Sequence, residues 1–69
     1  MNNKELRRVY YLLSCEITKA QLKIDGIDRT LENCNRLNVE YWRDKRAEAV
    51  AYLNGIHWAR DIVWKELNR

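Results

Sequence analysis

Apolar residues recur every seven positions along the first half of this sequence. One series runs Leu6, Leu13, Ala20, Ile27, Cys34 and Tyr41, and a second runs Tyr10, Ile17, Ile24, Leu31 and Asn38. The two series interleave at spacings of three and four residues, which is the a/d pattern of a helix that packs against another helix. The register holds over about five heptads, so the pattern predicts one long helix with a single apolar face.

Few residues in the chain can interrupt a helix, because it has no proline and only two glycines, Gly26 and Gly55. Gly26 costs a helix about 1 kcal/mol relative to alanine, but the heptad register is the same on both sides of it. We therefore predict that the first helix continues through Gly26. A turn at Asp25-Gly26, with a new helix from Asp28, stays open as the alternative because Asp-Gly is a turn signal.

Beyond Tyr41 the apolar pattern moves by one residue. We call its continuation the first stripe, and it consists of Trp42, Ala49, Leu53, Ile56, Val63 and Leu67. A coiled coil absorbs insertions of three or four residues rather than one, so the shift indicates a chain reversal. The asparagines at 33, 35 and 38 suit helix ends, and Asn38 could cap a second helix.

These patterns predict an all-α fold, an antiparallel helical hairpin that forms a single domain over residues 1–69. The helices are expected at about residues 3–33 and 39–68, with the turn at about 34–38. At 1.5 Å per residue, each helix is then about 45 Å long.

The second helix has two apolar sides. On a wheel of about 100° per residue, the side opposite the first stripe carries what we call the second stripe. It consists of Ala47, Ala51, Gly55, Trp58 and Ile62. A hairpin can bury only one side against its first helix, so the other side meets a second copy, a different protein or water. Which of the two is intramolecular stays open at this point.

The second stripe has the composition of an interface. Its small residues let another helix backbone approach closely, and tryptophan is enriched among the residues that dominate binding energy. Because a short hairpin needs a second layer, we expect a homodimer, a four-helix bundle with this stripe inside. A different protein partner would then use a secondary surface, which we expect to consist of Tyr11, Arg43, Lys45, Arg46, Tyr52 and Trp64.

Other ways of stabilising a 69-residue chain have little support in the sequence. Cys15 and Cys34 have no second pair and no secretory leader precedes them, which predicts reduced thiols in a cytoplasmic protein. His57 is the only histidine and lies far along the chain from both cysteines, so we expect no metal site and no cofactor.

Catalytic motifs are missing from the sequence, which has no glycine-rich phosphate loop, paired-cysteine cluster or His-x-x-x-His spacing. We therefore expect no catalytic residues and no enzymatic activity. The longest apolar run is 9–13, much shorter than the roughly 18 residues of a membrane span. The net charge of +3 and the run from Arg43 to Arg46 leave nucleic-acid binding as a weaker alternative.

The function expected from the sequence is that of a non-enzymatic protein–protein interaction module, a regulator, adaptor or inhibitor that docks an apolar helical face on a partner protein. The alternatives are a small basic RNA- or DNA-binding regulator and a structural subunit of a larger assembly. The predicted architecture is similar in size and topology to the Rop-type RNA-binding regulator, but a shared fold does not transfer function.

Overall fold

Two long helices make up nearly all of the protein. The structure is a computed structural model that describes residues 2–69; Met1, the first residue of the predicted domain, lies outside them. Helix α1 spans Asn3–Asn33 and helix α2 spans Arg36–Leu67. The two helices pack against each other along a rod of 51 × 14 × 13 Å. The predicted all-α helical hairpin is thereby confirmed.

Helix α1 begins with a side-chain cap and is continuous. The Asn2 side chain accepts a hydrogen bond from the Glu5 backbone N–H at 2.9 Å, which satisfies one of the four free amides at the helix start. The helix then continues through Gly26, whose carbonyl accepts a hydrogen bond from the Thr30 hydroxyl at 3.0 Å. The alternative of a turn at Asp25-Gly26 is therefore wrong.

The turn is shorter than the sequence suggested. Helix α2 begins at Arg36 rather than near Val39, and only Cys34 and Asn35 separate the helices. Both residues have extended backbone, and Asn35 rather than Asn38 is the N-cap of α2. The Asn35 carbonyl accepts the Asn38 N–H at 3.2 Å. Two extended residues are enough to reverse an αα-hairpin, so the residues up to Asn38 can join the helix.

The core lies between the a/d face of α1 and the first stripe of α2. It contains six buried residues, Ala20, Ile24, Ile27, Ala49, Leu53 and Ile56. Partly buried residues extend this cluster towards both ends, namely Leu13, Ile17, Leu31, Trp42 and Val50. The seven-residue series therefore marks the buried face of α1 as far as Leu31. Tyr41, the last member of that series, lies after the turn and is 56% exposed.

The hairpin exposes more surface than a compact protein of its size. Its accessible area is 5767 Å², against about 4,600 Å² for a compact monomer of the same mass. Its radius of gyration is 15.8 Å, against about 11 Å for a compact domain of the same length. The excess area follows from the two-layer shape, in which each helix has one covered face.

Candidate protein interface

Packing against α1 decides which apolar side of α2 is internal. Ala49, Leu53 and Ile56 of the first stripe are buried in the core. All five residues of the second stripe are exposed. Because the two stripes lie on opposite sides of the helix, contact with α1 covers one and leaves the other to solvent. The second stripe is therefore an uncovered apolar face of the hairpin.

The second stripe has small residues at one end and bulky side chains at the other. Ala47, Ala51 and Gly55 follow one another at intervals of four residues, and a Cβ atom added at Gly55 would meet nothing within 4 Å. Trp58 and Ile62 follow, with 69% and 43% of their surfaces exposed. Trp58 lies outside the core cluster and most of its surface is exposed, so its indole is free to fill a pocket on another chain.

The predicted secondary surface is not one surface, because its six residues lie in separate places. Tyr11 and Trp64 lie at the open end of the hairpin on either side of Tyr10. The Tyr10 ring centroid is 6.0 Å from that of Tyr11 and 5.7 Å from that of Trp64. Tyr11 and Trp64 remain 68% and 53% exposed. They form a small aromatic cluster across the helix pair.

Tyr52 and Lys45 lie in a groove along one side of the hairpin. The groove has a volume of about 430 Å³ and is lined by Glu16, Lys19, Ala20, Lys23, Lys45, Glu48, Ala49 and Tyr52. Lys45 Nζ is 3.6 Å from Glu48 Oε2 and 5.5 Å from the centroid of the Tyr41 ring. Ala20 and Ala49 are the buried residues of its lining, and the ion pairs Lys19–Glu16 and Lys45–Glu48 border it.

Arg46 lies on the other side of the hairpin, where it contacts α1. Its Nε donates a hydrogen bond to Asp28 Oδ1 at 2.6 Å. This hydrogen bond, followed by the charge of the carboxylate, raises the pKa of the Arg46 guanidinium above its ordinary value. Arg46 is thus engaged within the hairpin, and Arg43, also exposed, lies one turn earlier on α2.

Arg60 makes a second polar contact between the helices. Its Nη1 donates to Ser14 Oγ at 3.3 Å, and its guanidinium carbon lies 5.6 Å from the centroid of the Tyr10 ring. Arg60 interrupts the apolar first stripe, and its contacts explain how an arginine fits there. Helical periodicity alone could not identify these contacts, because they depend on how the two helices align.

Four exposed apolar residues were not expected from the sequence. Leu37 is 90% exposed in the first turn of α2, and Leu12, Leu22 and Tyr41 are 59%, 63% and 56% exposed. Leu37 lay within the predicted turn, where its surroundings could not be inferred. Leu12 and Leu22 lie outside the heptad series, and that position could have predicted their exposure.

Within residues 2–69 no three His, Cys, Asp or Glu side chains lie close enough together to hold a metal ion. Cys15 and Cys34 are both free thiols, and Cys15 is exposed. Neither helix, over the same residues, has an apolar stretch of the length needed to cross a membrane.

Comparisons with models of protein families, with curated proteins and with solved structures found no match.

Proposed function

We propose that this protein is a non-enzymatic protein–protein interaction module that binds another polypeptide through the second stripe of α2. The observation that carries the proposal is the exposure of a complete apolar helix face, with Trp58 at 69%. Soluble monomers rarely leave contiguous apolar patches of this kind uncovered, and such patches mark interaction sites. A regulator, adaptor or inhibitor could use the face in this way.

The size of the hairpin gives independent support. Within residues 2–69 only six residues are buried, and a two-layer core this small stabilises a fold only marginally. The hairpin exposes about 1,200 Å² more surface than a compact monomer of its mass, and a standard interface buries roughly 800 Å² of each partner. Covering the second stripe would supply the missing layer, and dimerisation into a four-helix bundle is the simplest way to do so.

Nucleic-acid binding has weaker support from the geometry. The basic run of the sequence is divided between two sides of the hairpin, because Arg46 pairs with Asp28 and Lys45 lies near Glu48. A phosphate-binding surface needs a concentrated, unpaired positive charge.

The two free thiols are consistent with the proposed module working in the reducing cytoplasm.

The proposal can be tested by photo-cross-linking from a chosen position. A photoreactive amino acid replaces Trp58 in the full chain, and the same residue replaces Leu22 as the matched control. Leu22 is 63% exposed on α1 and lies outside the second stripe, the secondary surface and the groove. Irradiation in cell extract and of the purified protein is expected to join position 58, and not position 22, to a polypeptide.

Equal cross-linking from both positions, or none from position 58, would contradict the proposal. Cross-links from position 58 to nucleic acid alone would favour the RNA- or DNA-binding alternative. Binding of the wild-type chain to a generic duplex at low salt gives a second check, because phosphate contacts are strongest there.

A further inference from the structure

We infer that the second stripe is complementary to itself and binds a second copy of this chain. Helix α2 pairs with α2 of the partner subunit in antiparallel orientation, about a two-fold axis that passes between Asn54 and Gly55. This inference rests on the proposed function, and it names the partner and the register of that same surface. A two-fold interface of this type uses the same patch on both chains, so the patch must be complementary to itself after a rotation of 180°.

The side-chain sizes on the stripe meet that condition. With the axis between Asn54 and Gly55, Ala51 faces the partner subunit's Trp58, and Ala47 faces the partner subunit's Ile62. The bulky half of each stripe thus packs on the half of the other stripe that has small residues, and symmetry repeats both contacts. Alternating large and small residues across facing positions is what allows helices to interdigitate without voids.

The charges beyond the stripe meet the same condition. In this register Asp44 faces the partner subunit's Lys65, and Glu40 lies near the partner subunit's Arg69, two residues beyond the end of α2 at Leu67. All four residues are exposed in the hairpin, and Arg69 lies 3.7 Å from Glu66 of its own chain. Symmetry makes four intermolecular pairs of opposite charge, two at each end of the apolar stripe. Such flanking charges set orientation and register in helix pairs.

Neighbouring registers place carboxylates against the second stripe. A shift of the partner helix by seven residues places Asp44 against the partner subunit's Trp58 and Glu40 against the partner subunit's Ile62, which buries two carboxylates on apolar groups. A shift of four residues in the other sense brings Asp44 to the partner subunit's Arg69, but it also sets Ala47 against the partner subunit's Glu66. Of these three registers, only the proposed one sets no carboxylate against a residue of the second stripe. The four-residue shift keeps the size match, with Gly55 against the partner subunit's Trp58, so the charge exchange below distinguishes these two registers.

The pairing also defines the shape of the dimer. The second stripe lies nearly opposite the face of α2 that packs on α1. The two α2 helices therefore form the centre of the assembly, and each α1 lies on the outside. The result is a flattened four-helix bundle rather than a square one.

Charge exchange between two variants tests the partner and the register together. D44K and K65D are made separately in the full chain, and self-association is measured by sedimentation at low salt, where ionic contacts are least screened. Each single variant is expected to weaken self-association about tenfold, because attraction becomes repulsion at two symmetric sites. Mixing D44K with K65D is expected to restore wild-type affinity as a heterodimer.

The matched control is a mixture of D44K with R69D, which is not expected to restore association. Restoration by R69D instead of K65D would overturn the proposed register, and charge variants that associate like the wild type would overturn the pairing. Far-UV circular dichroism of each variant is expected to match the wild type, since the changed residues are exposed.

A wild-type chain that stays monomeric at high micromolar concentration would overturn the second copy as partner. In that case, cross-linking from position 58 to a different polypeptide would leave the proposed function standing. If that cross-linking also fails, both the proposed function and the pairing with a second copy are contradicted.

Discussion

The Nε atom of Arg46 lies 2.6 Å from Oδ1 of Asp28, and this contact is the one ion pair that joins α1 to α2 within residues 2–69. Both side chains are nearly half exposed, at 46% and 43%. Water and salt therefore screen the pair, and its effect on stability is modest. Together with the hydrogen bond from Arg60 to Ser14, it adds specificity to the alignment of two largely apolar faces.

We expect Arg46→Ala and Asp28→Ala to lower the free energy of unfolding slightly, and by less than the core substitution described below. The double variant should lose less than the sum of the two, because the partners interact. Urea unfolding of the four proteins at equal concentration measures the coupling, and exact additivity would contradict it.

The pH dependence of this pair has a definite sign. The pKa of the Arg46 guanidinium is raised in the folded state, so its stabilising contribution is fully present below the pKa of the unfolded chain. The contribution is lost only when pH rises through the folded value, at strongly alkaline pH. We expect the coupling energy of the double-mutant cycle to be the same at pH 7 and pH 9, and a fall between these values would contradict the assignment.

Leu53 and Leu37 are two leucines of α2 in opposite surroundings, 9% and 90% exposed. Leu53→Ala removes core packing and is expected to cost about 2–4 kcal/mol, which is enough to unfold much of a small hairpin. Leu37→Ala removes no packing within the hairpin and is expected to change the free energy of unfolding by about 0.5 kcal/mol or less. Thermal unfolding at one protein concentration compares them; equal losses would contradict the core assignment.

Gly26 lies inside α1, and a Cβ atom added there meets nothing within 4 Å. Gly26→Ala is therefore expected to stabilise the fold by about 0.5–1 kcal/mol, because alanine restricts the unfolded chain and favours the helix. The gain should appear as a higher midpoint in urea. Destabilisation would indicate that a close neighbour covers this position.

The two helix starts differ in their caps. Asn2 accepts a hydrogen bond from the Glu5 N–H, whereas the Asn35 side chain makes no capping hydrogen bond. Asn2→Ala is expected to cost about 1 kcal/mol, and Asn35→Ala, as the matched control, less than half of that. Urea unfolding measures both free energies. A larger loss for Asn35→Ala than for Asn2→Ala would contradict the capping role of the Asn2 side chain.

Much of the hairpin could be predicted because its signals are local. The spacing of Ile17, Ile24 and Leu31 repeats with the period of a helix, and it identifies the buried face of α1 without any knowledge of the partner helix. The end of α1 and the start of α2 were harder to place. Asn33, Asn35 and Asn38 can all cap a helix, and the choice depends on how the chain crosses from one helix to the other.

The candidate interface, too, could be predicted only in part from the sequence. The sequence alone determined that α2 is apolar on two sides, since that property follows from residue type and the 3.6-residue period. Only the tertiary structure decided that the first stripe faces α1, because Ala49, Leu53 and Ile56 had to fit the shape of Ala20, Ile24 and Ile27. The same packing divided the predicted secondary surface among the two sides and the open end of the hairpin. Periodicity describes one helix at a time, whereas contacts such as that of Arg46 with Asp28 depend on the alignment of two.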